Sequence, residues 1–180
     1  MRLTIWISGA LLVVASQAPT LGCGGGDSAV TCDETGCDCT DRSSCDLDCD
    51  DVIGCQPTCL AFGSLCSATC LDDCEFRCRQ GSDCDALCGD NCYTQCSSIE
   101  TCRVEAGAGS EYRCLNATNC AADIGDDSSV LCTSVGSCSA RCSGTCIVAC
   151  VDTVSCSVEC QQGERLNCGQ GLFTCGMPCP

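Results

Sequence analysis

The sequence predicts an all-β fold, a disulfide-stapled parallel β-solenoid of 18-residue coils. Three observations predict it. Cys66, Cys84, Cys102, Cys120, Cys138 and Cys156 are each 18 residues apart, as are Cys78, Cys96, Cys114, Cys132, Cys150 and Cys168. Counting from the first cysteine of each unit, inward-type residues alternate at positions 1, 3, 5 and again at 9, 11, 13, and period-two patterning is a strand signal. Between the two runs stand triplets such as Gly89-Asp90-Asn91 and Gly125-Asp126-Asp127, which favour turns and would interrupt a helix. The alternative architecture is a string of irregular small disulfide-rich domains.

The elements follow in chain order. Residues 1–22 read as a signal peptide: Arg2 is the positive end and Leu3 to Ala15 the apolar stretch, too short to span a bilayer comfortably. Residues 23–29 open with Cys23 and continue as a flexible Gly/Ser tether. Residues 30–65 carry cysteines on a shorter beat, with Cys45, Cys49, Cys55 and Cys59 spaced C-x3-C-x5-C-x3-C as if the eight residues between positions 5 and 13 were deleted, and read as an irregular Cys-rich N-terminal cap. Residues 66–173 are six 18-residue repeats, and 174–180, with Cys175 and Cys179, form a C-terminal closure.

Composition sets the energetics. Cysteine makes up 29 of 180 residues while aromatics are 3%, so covalent staples must supply stability that burial cannot. Position 3 holds only Ala or Val, and position 11 holds Phe76, Thr94, Tyr112, Val130, Val148 and Leu166. From Cys23 onward seven Arg face 24 acidic residues, 7 − 24 = −17. That charge excludes nucleic acid as a partner and gives no attraction to anionic lipid.

Geometry prunes the bridges. Two cysteines four apart in one extended strand are about 13 Å apart, too far to bond. Across a tight turn they approach, which predicts Cys70–Cys74, Cys88–Cys92 and Cys142–Cys146. Position 13 can bridge forward to the next unit (Cys78–Cys84, Cys96–Cys102, Cys114–Cys120, Cys132–Cys138, Cys150–Cys156) or across its own unit (Cys66–Cys78, Cys102–Cys114). The forward scheme is preferred.

Other chemistry has little to stand on. There is no C-x2-C and no histidine, which counts against zinc and thioredoxin-type sites. Asp72, Asp73, Asp90, Asp126 and Asp127 recur at one turn and could stack as oxygen ligands for calcium, although Asp also favours turns in its own right. No cofactor is expected. Serine and cysteine nucleophiles lack a His or Lys base, so the chain is not expected to be an enzyme.

Thr20-Leu21-Gly22-Cys23 resembles a bacterial lipobox, with Thr20 where Leu is usual. With the Gly tether and the cysteine repeats, the chain resembles cysteine-rich bacterial lipoprotein precursors. The resemblance implies a lipid on Cys23 and attachment to the membrane through it, at the outer membrane or cell surface; the alternative is ordinary cleavage near Ser16-Gln17-Ala18, with Cys23 a plain cysteine and the protein secreted. Setting Cys23 aside leaves 29 − 1 = 28 cysteines, enough for fourteen bridges. The expectation is an exported, lipid-anchored, monomeric structural or display protein. An adhesin or inhibitor-like binding module with a protein or glycan partner is one alternative, and a metal-thiolate storage protein is another.

Overall fold

The structure, a computed structural model, describes residues 31–32, 37–40, 44–49, 54–60 and 65–180. The expected signal peptide 1–22, Cys23 and its tether lie outside them. Among the described residues there is no helix, and two sheets account for all the strands.

Each coil supplies one strand to each sheet. The first sheet contains β1 (Thr31–Cys32), β2 (Cys37–Thr40), β4 (Pro57–Leu60), β6 (Glu75–Arg79), β8 (Tyr93–Ser97), β10 (Glu111–Leu115), β12 (Ser128–Thr133), β14 (Cys146–Val151), β16 (Arg165–Gly169) and β17 (Leu172–Cys175). The second contains β3 (Ser44–Cys49), β5 (Leu65–Cys70), β7 (Asp83–Cys88), β9 (Thr101–Ala106), β11 (Asn119–Ile124), β13 (Ser137–Cys142) and β15 (Ser155–Cys160). Neighbours along the coil stack are parallel and offset by one repeat, as in Cys96↔Cys114↔Cys132 and Ala86↔Val104↔Ala122. The sheets therefore form a two-sided parallel β-solenoid.

Two turns close each coil, and both use left-handed backbone except at Thr145, position 8 of the coil that starts at Cys138. At position 8, Asp73, Asn91, Gly109, Asp127 and Gly163 have φ between 52° and 77°. At position 15, Gln80, Ser98, Asn116, Ser134, Asp152 and Gln170 have φ between 50° and 61°. Asp, Asn and Gly tolerate this region, which is why the position-8 turn was legible in composition. Its position-15 counterpart was not, because Gln and Ser carry no such preference.

The interior is a single layer of side chains. Phe76, Tyr112, Val130 and Val148 from one sheet and Ala68, Val104, Ala140 and Val158 from the other share one buried cluster with most of the buried cysteines. At the edge that carries the position-15 turn, bridges run from position 13 to position 1 of the next coil: Cys78–Cys84, Cys96–Cys102, Cys114–Cys120, Cys132–Cys138 and Cys150–Cys156, with Cα–Cα separations of 6.3–6.5 Å. Behind that turn Ile99, Ala117 and Val135 are buried as plugs.

The two ends differ from the sequence expectation in an instructive way. Residues 44–49 and 57–60 keep the coil register, with Cys45↔Cys66, Leu47↔Ala68, Cys49↔Cys70 and Cys59↔Cys78. Cys39–Cys45, Cys49–Cys55 and Cys59–Cys66 bridge them as in later coils. The coil from Cys45 to Cys66 spans 66 − 45 = 21 residues, longer than the repeat and not the shorter beat that the spacing predicts, because Cys49 and Cys55 face each other across a turn instead of continuing one strand. At the other end β17 turns back, runs antiparallel, and inserts between β14 and β16. Cys175 thereby reaches the register position of Cys146 and bridges Cys160, while Cys168 bridges Cys179. Glu164, which stands where a repeat cysteine was due, is exposed.

Candidate functional site

The edge with the position-8 turn is chemically uneven. Successive coils place there Cys49–Cys55, Cys70 with Cys74, Cys88 with Cys92, Ala106 with Ser110, Ile124 with Ser128, and Cys142–Cys146. Here the structure departs from the predicted bridges Cys70–Cys74 and Cys88–Cys92: all four residues are buried free thiols. These sulfurs also have neighbours along the stack, as the bridged Cys49 and Cys142 do. Cys70 pairs in register with Cys88, and their sulfurs are 3.4 Å apart.

The four thiols lie close together: Cys70 and Cys88 are in hydrogen-bond contact, and the Cys92 thiol donates to the Leu71 carbonyl at 3.5 Å and the Asp90 carbonyl at 3.8 Å. Hydrogen bonds to Cys74 and Cys88, reinforced by burial, push the Cys70 thiol up. Hydrogen bonds from Cys74 and Cys88 hold Cys92 below the ordinary thiol range, against the opposing effect of burial. Cys92 is thus the most acidic of the four, and a thiolate is the reactive form of cysteine. Where the thiols stop, serine takes over the column: the Cys92 N–H donates to Ser110 Oγ at 3.1 Å, and the Ser110 N–H donates to Ser128 Oγ at 3.1 Å.

The residues expected as a calcium column lie directly outside this edge, and their oxygens act as turn caps. Asp72 Oδ1 accepts the Asp90 N–H at 2.8 Å, and Asp90 Oδ1 accepts the Ala108 N–H at 2.7 Å. Asp126 Oδ1 accepts the Thr145 N–H at 2.5 Å. The Thr145 hydroxyl lies 2.6 Å from Asp126 and 2.7 Å from Asp127. These contacts, the Thr145 hydroxyl foremost, hold the Asp126 carboxyl below the usual carboxylate range. Asp73 and Asp127 instead occupy the left-handed turn position. Each carboxylate that caps a neighbouring coil has one oxygen engaged by its own protein.

Compact sulfur groups of metal-binding size among the described residues are Cys45/Cys59/Cys66 and Cys142/Cys146/Cys175. Both contain disulfide sulfurs, which have no thiolate to offer. The thiol quartet is not one of these compact groups.

The outer faces are solvated and charged. Arg103 pairs with Asp85 at 3.5 Å, and Arg141 bridges Asp123 and Glu159 at 3.3 Å each. Arg77 pairs with Glu75, and Arg113 pairs with Glu111 while lying 5.6 Å from the Tyr93 ring centre. These arginines act as partners for acidic neighbours along the strand or one coil away. Inside, the hydroxyls of Thr94 and Tyr112 are buried with no hydrogen-bond partner, and burial pushes the Tyr112 phenol up.

No known protein-family model matches the chain, and no curated protein or solved structure is found to be similar to it. The extent of disulfide bonding is consistent with an extracellular or exported protein.

Proposed function

We propose that the chain is an exported, lipid-anchored rod that displays an acidic surface at a bacterial cell surface and has no catalytic activity of its own. The observation that carries this reading is the continuous bridged edge, in which Cys78–Cys84 through Cys150–Cys156 staple every coil junction in that run. A solenoid with one layer of small core side chains gains little from burial, and the bridges compensate by restricting its unfolded chain. Such a rod keeps its shape in an oxidising environment with no cofactor. The acidic faces favour solvation and discourage self-association, which supports a monomer held to the membrane only through lipid on Cys23.

Expression of the full precursor in a bacterial host with a fatty-acid analogue tests the anchor. The mature protein should incorporate the label at Cys23, and Cys23→Ser should abolish labelling and release the protein from the membrane fraction. Unlabelled mature protein that begins at another residue would refute the anchor. Digestion of intact cells by an external protease tests display, and complete protection would refute it.

A further inference from the structure

One molecule holds the same turn in two oxidation states. Across the position-8 turn, Cys49–Cys55 and Cys142–Cys146 are bridged, with Cα–Cα separations of 6.3 and 6.2 Å. Across the two turns next to Cys49–Cys55, the equivalent pairs are thiols. All six sulfurs at the N-terminal end of this edge share one buried cluster, separate from the main core. The fold therefore accommodates the bridge at this turn, and the quartet is the place where it is open.

We propose that Cys70, Cys74, Cys88 and Cys92 form an oxidation site for a small neutral peroxide, which converts two adjacent turns of the rod from dithiol to disulfide, Cys70 with Cys74 and Cys88 with Cys92. Access selects the oxidant class. The four thiols are 1–6% exposed, which excludes a protein disulfide or a bulky peptide disulfide. Above them the turns present exposed Asp72, Asp73 and Asp90, which repel anionic oxidants. Hydrogen peroxide is small and uncharged and meets neither barrier.

The chemistry balances within each pair. The Cys92 sulfur attacks one peroxide oxygen, the O–O bond breaks, and the departing hydroxide takes up the proton that Cys92 released, leaving a sulfenic acid and one water. The Cys88 sulfur then attacks the sulfenic sulfur, and its proton leaves with the displaced hydroxide as a second water. Two thiols and one peroxide give one disulfide and two waters. Cys70 and Cys74 consume a second peroxide in the same way. Closure across the turn is favoured over closure along the stack, because no described bridge joins neighbouring strands of one sheet.

Differential alkylation of the full-length protein, quenched under denaturing conditions, tests this. A first reagent marks free thiols, and a second marks those released by later reduction. Without peroxide the four positions should carry the first label. With two equivalents of hydrogen peroxide per chain they should carry the second, and mapping should find Cys70–Cys74 and Cys88–Cys92. Cys70→Ser should halve peroxide uptake, retain Cys88–Cys92 and leave Cys74 a thiol. Three results would overturn the proposal: the first label persisting in excess peroxide, pairing of Cys70 with Cys88, or all four positions already closed before peroxide is added. The wild-type titration decides the matter even if the variant fails to fold.

Discussion

The two edges of the solenoid solve the same problem differently. At the position-15 edge every junction from Cys78 to Cys156 is closed by a disulfide, and the turn sequences vary freely. At the position-8 edge two central coils have no cysteine at all, and carboxylate caps with serine hydroxyls hold the turns. A covalent staple acts mainly on the unfolded chain and is indifferent to turn chemistry. A hydrogen-bonded turn acts on the folded chain and needs particular residues at particular places. One covalent edge per coil is enough to keep the strands in register, which leaves the opposite edge open to variation.

The most direct way to break this contrast is to remove a staple from the bridged edge. Cys114→Ala with Cys120→Ala should destabilise the protein by about 2–3 kcal/mol in denaturant unfolding, as expected for a short closed loop. A loss near zero would mean that hydrogen bonds alone hold both edges. On the opposite edge, a Cβ at Gly125 would stand 2.4 Å from the backbone of Gly107 and Ala108 one coil away. Gly125→Ala should therefore cost about 1–3 kcal/mol by forcing stacked turns apart, measurable as a lowered Tm.

Between the edges lies the thin core, and a smaller effect is expected there. Tyr112→Phe removes a buried hydroxyl that has no partner, and Phe76 already fills the same coil position two coils earlier. The substitution should stabilise by about 1 kcal/mol; destabilisation would reveal a hidden partner for the phenol. The smallest effect concerns pH. Because the folded Asp126 carboxyl sits below the ordinary carboxylate range, its contribution is present above that range and lost as pH falls through the lower folded pKa. Asp126→Asn should flatten this part of the acid-induced fall in Tm, and an unchanged acid profile would refute a capping role for the charge.

The coil was legible because several columns agree. Ala68, Ala86, Ala122 and Ala140 share one position with Val104 and Val158, and that position faces the interior throughout. The turn at Asp72 to Asp127 was legible from residues that tolerate left-handed backbone. The buried plugs Ile99, Ala117 and Val135 were missed, because their column also holds Gly81, Thr153 and Gly171 and shows no pattern. Glu164 left Cys160 without a repeat partner in the sequence, and only a returning strand supplies Cys175.

The sequence by itself determined the period, the inward-facing columns and the set of cysteines available to bond, because these follow from local alternation and turn preference. It also predicted that bridges would cross turns, since extended chain holds neighbouring cysteines too far apart. Tertiary structure decided which sulfurs meet. Stacking in register brings Cys70 beside Cys88 as well as near Cys74, and the reversal of β17 brings Cys175 to Cys160. Pairing among equivalent sulfurs depends on distances that exist only once the coils are stacked, which is why a strict repeat announces its fold more readily than its connectivity.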